Sequence, residues 1–121
     1  MTTNRWQRLE GLLIFVVSMI LAAFVQNGWP IWVWPLALLA PDLSMLGYVA
    51  GPRVGAFIYN LGHLYCFGII LAVVGVVIGY PNLIPIGMIW TAHVGIDRAL
   101  GYGLKHPTGF RDTHLGRIGR D

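Results

Sequence analysis

Charge is scarce in this chain: Asp, Glu, Lys and Arg together make up 11% of its 121 residues. A water-soluble domain usually carries about a quarter. With 56% apolar residues, a soluble fold would have almost no polar skin. A free-standing soluble domain is therefore a poor reading, whereas lipid can cover an apolar exterior. Cysteine is nearly absent. Cys66 stands alone in an apolar run, so no disulfide forms within the chain and the redox compartment cannot be read from it. It is expected to act as a small buried hydrophobe. No internal repeat is visible, and the polar positions of the two halves do not match, which weighs against an inverted-repeat transporter. No nucleic-acid motif accompanies the net charge of +3, so no nucleic-acid partner is expected.

What is present is long apolar runs. A helix needs about 20 mostly apolar residues to cross the hydrocarbon. Four segments qualify, at about 5–25, 29–50, 53–79 and 82–104. Gln26-Asn27-Gly28, Ala50-Gly51-Pro52 and Tyr80-Pro81-Asn82 separate them and suit turns. Arg5 and Arg8 resemble the basic start of a signal peptide, but no small-x-small site follows before Gln26. The first run is expected to be a retained span. The connections are short, so neighbouring helices should run antiparallel. The predicted fold is all-α: a four-helix transmembrane bundle over 1–104, with a basic tail over 105–121.

Basic residues set the orientation. Arg5, Arg8, Arg53, Lys105, Arg111, Arg117 and Arg120 flank only one side of such a bundle. By the positive-inside rule that side, with both termini, is expected to be cytosolic. Trp29, Trp32 and Trp34 would then anchor the outer interface. The basic tail is expected to touch anionic lipid headgroups. Phe110, Leu115 and Ile118 leave two readings of the tail open: solvated and lipid-bound, or folded back over the cytosolic mouth as a lid. Gly75 and Gly79 form a G-x-x-x-G pair, which serves packing within the bundle or, on the sharper reading, a homodimer.

Ionisable residues inside a span point to function. Asp42 lies on the second span, Tyr59, Asn60 and His63 on the third, and His93, Asp97 and Arg98 on the fourth. Helical rise puts His63 ~15 Å from the start of its span and His93 ~16 Å from the end of its own, so both lie at one level. Asp42 comes out at ~13 Å, and Asp97 and Asn60 at ~10 Å. His93 and Asp97 are i, i+4 and share a face, as do Tyr59 and His63. The expected picture is a polar pocket open to the cytosol, with histidines at its floor and carboxylates nearer its mouth. Arg98 is expected to snorkel to the interface, and Glu10 to pair with Arg8 or Arg53. His114 and Asp112 would join the site if the tail closes over it.

Several strings carry a resemblance: Pro-Asp-Leu-Ser-Met-Leu-Gly-Tyr (41–48), Gly-Pro-Arg-Val-Gly-Ala (51–56), Tyr-Asn-x-x-His (59–63), Ala-His-Val-Gly-Ile-Asp-Arg-Ala-Leu-Gly-Tyr-Gly-Leu-Lys (92–105) and Gly-Phe-Arg-Asp-Thr-His-Leu-Gly-Arg-Ile-Gly (109–119). The chain resembles a family of small bacterial integral membrane proteins carrying a domain-of-unknown-function label, number four-two-six-zero. The resemblance implies a multi-pass protein of the bacterial inner membrane. It marks Asp42, His63, His93, Asp97 and His114 as lying in characteristic strings, and it implies no reaction.

Four functions compete. Asp42, His63, His93 and Asp97 offer two nitrogen and two oxygen ligands, a set that suits Zn, Mn or Fe. The leading expectation is a membrane-embedded, metal-dependent enzyme on a lipid-like or apolar substrate, these four residues serving as ligands and catalytic groups with Tyr59, Asn60, Arg98 and His114 in support. Without metal, the His/Asp pairs suit acid–base chemistry. The alternatives are a structural or accessory subunit, a small proton-coupled transporter, and a haem b electron-transfer subunit ligated by His63 and His93.

Overall fold

A computed structural model describes residues 1–119. Arg120 of the basic tail lies outside them. The order of elements is α1 (Thr3–Val25), α2 (Val33–Leu39), a 3-10 segment (Ala40–Ala50), α3 (Pro52–Gly62), α4 (Tyr65–Ile78), α5 (Leu83–Leu100) and a hairpin of β1 (Asp112–Thr113) and β2 (Gly116–Arg117). Thr3–Val25 and Val33–Ala50 are each long and apolar enough to cross a membrane, and the bent pair α3–α4 adds a third such segment if taken as one.

The centre of the molecule is α5. It buries Gly87, Ile89, Thr91, His93, Val94, Gly95 and Arg98 among others, whereas the other helices turn Val16, Phe24, Val76 and Val77 outward. α1 and α4 lie against it at glycine crossings. A methyl group on Gly95 would stand 2.6 Å from the Gly11 carbonyl, and one on Gly87 would stand 2.3 Å from the Gly68 carbonyl. These backbones touch directly, as small residues permit. The contacts run Gly11 with Gly95, Gly68 with Thr91 and Gly75 with Leu83, so α1 and α4 are both antiparallel to α5.

Three expected spans differ in detail. The second begins at Val33 and turns into an eleven-residue 3-10 helix at Ala40. Pro41 lacks an N–H, so the regular helical ladder loses a donor there. The tighter, narrower coil lets Gly47 reach Ile58, Ser44 reach Gly62 and Tyr48 lie on Gly55. A 3-10 run of this length is uncommon and often marks a functional segment. The third span is not one helix: it bends by 43° between Gly62 and Tyr65, where Leu64 is extended. The fourth ends at Leu100, not Leu104. Gly101 takes a left-handed conformation, with its N–H on Arg98 O and the Tyr102 N–H on Asp97 O, a glycine-terminated helix end.

The G-x-x-x-G pair divides its roles. Gly75 faces Leu83 and Ile84 of the same chain, and Gly79 ends α4 with φ +73°. Cys66 is exposed on α4 instead of buried, because Gly68 and Ala72 take the face toward α5. The tail forms a hairpin that docks on the helices. Asn60 clasps the Lys105 backbone in both directions, at 2.9 and 2.7 Å. Asn4 donates to Leu115 O, which ties the start of α1 to the hairpin. Arg8 donates to Ala99 O at 3.0 Å. Among the described residues Glu10 makes no ion pair with Arg8 or Arg53; it lines a groove with Trp6 and Leu13.

Candidate metal centre

Each irregularity of the fold delivers a side chain to one point. Asp42 sits in the first turn of the 3-10 segment, His63 at the break between α3 and α4, and His93 and Asp97 one turn apart on α5. His63 Nε2 lies 3.2 Å from Asp42 Oδ1 and 3.3 Å from Asp97 Oδ2. His93 Nε2 lies 3.0 and 3.3 Å from the same two oxygens. The two Nε2 atoms are 3.1 Å apart. One ligand atom from each residue fits in a group no wider than 4.8 Å.

Backbone contacts fix the imidazoles. His63 Nδ1 is 2.8 Å from Tyr59 O and His93 Nδ1 is 2.6 Å from Leu38 O. A carbonyl only accepts, so both Nδ1 atoms carry the proton and donate. Ser44 donates to Pro41 O, leaving its oxygen 3.4 Å from His63 Nδ1 as a further acceptor. Both Nε2 lone pairs then point at each other and at two carboxylate oxygens. Four electron-rich atoms this close repel unless a cation or added protons lie between them. Ligands held 2.0–2.1 Å from a tetrahedral ion stand roughly 3.3 Å apart, close to the spacing here. Histidine ligands that donate their other nitrogen to a carbonyl are the usual supporting arrangement of such a site.

The break at His63 is held by long-range donors. Trp90 Nε1 donates to Gly62 O at 2.7 Å, and Arg98 Nη2 donates to His63 O at 2.9 Å. A helix interruption frees carbonyls that need partners when buried, and these two residues of α5 supply them. Arg98 is 6% exposed, with Tyr102 O as a second acceptor and the Tyr65 ring beneath it. It does not snorkel to an interface, because the break gives its guanidinium carbonyls to bind inside the protein.

The remaining named residues divide. Tyr59 is buried and stacks on His63 with ring centroids 3.7 Å apart. Asn60 holds the tail and makes none of the cluster contacts. His114 does not reach the cluster: its Nδ1 accepts the Leu104 N–H and its Nε2 meets Gln7 of α1. Asp112 stays within the hairpin, bonded to Thr108 and Arg117. Exposure grades across the cluster: the side chains of His63 and His93 are 0% and 4% exposed, Asp97 14% and Asp42 34%. The cluster is thus closed on the histidine side and opens beside Asp42.

Lys105 reads in the sequence as part of a basic tail. It is 4% exposed, with its ammonium 3.9 Å from the Phe110 ring centre and 4.7 Å from that of Tyr59. Burial pushes its pKa down to about 8, while the charges of Asp97 and Asp42 oppose that shift. No local sequence signal marks Lys105, because the Asn60 side chain that clasps its backbone lies 45 residues earlier. Two hollows flank α5. An apolar groove of about 830 Å³ lies between α1 and α4 and includes Met88 and Thr91. A smaller one of about 220 Å³ is lined by Ala37, Ala40, Pro41, Ile86 and Trp90; Pro41 is the residue before Asp42, and none of the four cluster residues lines the hollow.

No curated protein and no solved structure matches this chain. A family model does, over residues 4–118, a stretch that includes every member of the cluster, the docked hairpin and α1. The chain belongs to the family described as Domain of unknown function (DUF4260).

Proposed function

We propose that this protein is a multi-pass membrane enzyme whose centre is a divalent metal ion held by Asp42, His63, His93 and Asp97. One observation carries the reading: two imidazoles, each with its Nδ1 proton committed to a backbone carbonyl, aim bare nitrogens at two carboxylate oxygens 3.0–3.3 Å away. Zn, Mn and Fe all accept this donor set. A metal bound there would supply Lewis acidity and a water of lowered pKa. The chain's own residues orient it, keep bulk water from the histidine side and leave access beside Asp42. The apolar hollow at Pro41 and Trp90 favours a lipid-like or apolar substrate.

The same geometry disfavours a haem. Imidazoles on opposite faces of one iron stand about two metal–nitrogen bonds apart, roughly 4 Å. Here the nitrogens are 3.1 Å apart, with carboxylates in the space a macrocycle would need.

The membrane reading covers all four expected spans, with both ends cytosolic in the bacterial inner membrane. α5 is not among the segments long and apolar enough to cross by themselves, but its His93 and Arg98 are buried against protein. Non-helical backbone at membrane depth is tolerated where protein covers it, and the break at His63 is so covered. Arg5, Arg8, Arg53 and Lys105 at one end support the orientation, and the basic hairpin at that end would meet anionic headgroups.

The test is metal analysis of detergent-purified protein beside His63→Ala and His93→Ala. About one equivalent of a transition metal per chain, lost in both variants, is the expected result. Protein that takes up no such metal under any loading condition would sink the reading.

A further inference from the structure

Lys105 poses a problem of charge. Buried ammonium groups are costly unless paired, and among the described residues no carboxylate forms an ion pair with this one. Its contacts are aromatic faces: Phe110, and Tyr59, whose ring lies flat on the ligand His63. The Tyr48 ring packs on the same Phe110, with centroids 5.2 Å apart. The Tyr48 hydroxyl is buried with no hydrogen-bond partner among the described residues, and an orphaned buried donor invites one. A cation and a free hydroxyl thus share one aromatic cluster beside the proposed metal centre.

Charge balance points the same way. Two carboxylates neutralise a divalent ion. Arg98 and Lys105 then remain as buried positive charges. Arg98 is satisfied by the carbonyls of His63 and Tyr102, but among the described residues the Lys105 ammonium directly contacts only rings, with Asp97 and Asp42 acting on it at longer range. Lysine binds phosphate as a point charge, and a metal with a nearby ammonium suits a tetrahedral oxyanion.

We infer that Lys105 and the Tyr48 hydroxyl form a subsite for a phosphate-class oxyanion, so that the substrate of the metal centre is anionic at the group nearest the metal. This rests on the metal reading above, because without the ion the two carboxylates would already balance Arg98 and Lys105. The group belongs either to an amphiphile, whose chain would take the hollow at Ala37, Ala40, Pro41, Ile86 and Trp90, or to free phosphate.

The experiment uses the full chain in detergent, loaded with Co²⁺ and followed by its visible absorption. Inorganic phosphate and dihexanoyl phosphatidic acid are titrated in separate arms, with wild type, Lys105→Met, Lys105→Arg and Tyr48→Phe. Methionine keeps the aromatic packing without charge, and arginine restores the charge. The expected result is a phosphate-dependent spectral change whose apparent Kd rises ~10-fold or more in Lys105→Met, equivalent to at least 1.4 kcal/mol, and is largely restored in Lys105→Arg. Tyr48→Phe should weaken binding by a smaller factor. Tighter binding of the phosphatidic acid would assign the oxyanion to a lipid; equal binding in both arms would assign it to phosphate itself. Cobalt uptake with no anion response, or a response unchanged in Lys105→Met, would overturn the subsite and leave the metal centre standing. Failure to take up cobalt would overturn both. Thermal melts of all four proteins show that each variant is folded, and Lys105→Arg serves if methionine is not tolerated.

Discussion

The two faces of α5 are built on opposite principles. Toward α1 and α4 it offers Gly87, Thr91 and Gly95 to regular helices that touch it backbone to backbone. Toward the 3-10 segment and α3 it offers Trp90, His93 and Asp97 to helices that are tightened or broken. The first face carries no cluster of ionisable groups; the second carries the whole candidate metal centre. Close, regular packing fixes α5 in place, and the irregular partners spend helical regularity to point Asp42 and His63 at it. Irregular backbone and polarity gathered on one face are typical of a functional site.

Substitutions on the packed face should have the largest effect on stability. In Gly87→Leu the new side chain would start 2.3 Å from the Gly68 carbonyl, and backbone cannot move aside as a side chain can. A loss of ~3 kcal/mol or more is expected, read as failure to purify as a monodisperse species or as a steep fall in the detergent melting temperature. Gly95→Leu, against Gly11, should behave alike. If both are tolerated, the face is not packed as described.

The site face should respond in the opposite way. His93→Ala is expected to weaken metal binding by ~100-fold or more, while the metal-free protein loses no more than ~1–3 kcal/mol, the cost of leaving Leu38 O without its donor, offset in part because repelling groups are removed. Metal titration and melting of the metal-stripped protein together check this. A metal-free variant destabilised as strongly as Gly87→Leu would show that the cluster is structural glue, and the contrast between the faces would fail.

Between these extremes lies the break at His63. Trp90→Phe keeps the ring but leaves Gly62 O without its donor, and Arg98→Met does the same to His63 O. Each orphaned buried acceptor should cost ~1–3 kcal/mol. Because the break aims His63, both variants should also lose metal affinity by ~10-fold or more. Stability lost without any change in affinity would separate the break from the site.

Part of this was legible in sequence. Helical rise put His63 and His93 at one level, and the i, i+4 spacing put His93 and Asp97 on one face; the structure brings these three and Asp42 together. The irregularity that achieves this was not legible. Gly62-His63-Leu64 reads as continuous apolar helix, and only Trp90 and Arg98, some 28 and 35 residues further on, make a break there affordable. The 3-10 form had a local cue in Pro41, but its length depends on the small faces of Gly47, Gly55 and Gly62. Arg98 and Lys105 were misjudged for one reason: charge in a sequence says nothing of the carbonyls or rings that wait for it.

The smallest effect concerns the tail hairpin that Lys105 bridges to at Thr113. His114 Nδ1 accepts the Leu104 N–H at 2.8 Å, so this nitrogen must be unprotonated in the docked form. Burial, and then the charges of Arg98 and His106, hold the His114 pKa below its ordinary value. The groups that face it are thus Arg98 from α5, His106 from the tail and the neutral Gln7 from α1. With the folded pKa lowered, the undocked tail binds more protons than the docked one in the window below the ordinary histidine pKa. Docking is therefore fully favoured above about pH 6.5 and weakens as pH falls toward the folded value. Between pH 7.5 and 5.5, amide exchange over residues 104–118, expressed relative to the intrinsic rate (which itself falls with pH), should accelerate by a few-fold, while α5 stays protected. In His114→Asn, which removes the titrating ring, the pH dependence of that acceleration should flatten. Exchange that rises equally in α5 would mean that acid loosens the whole bundle, and the hairpin would then be part of the packed face and not a separately docked cover on the open one.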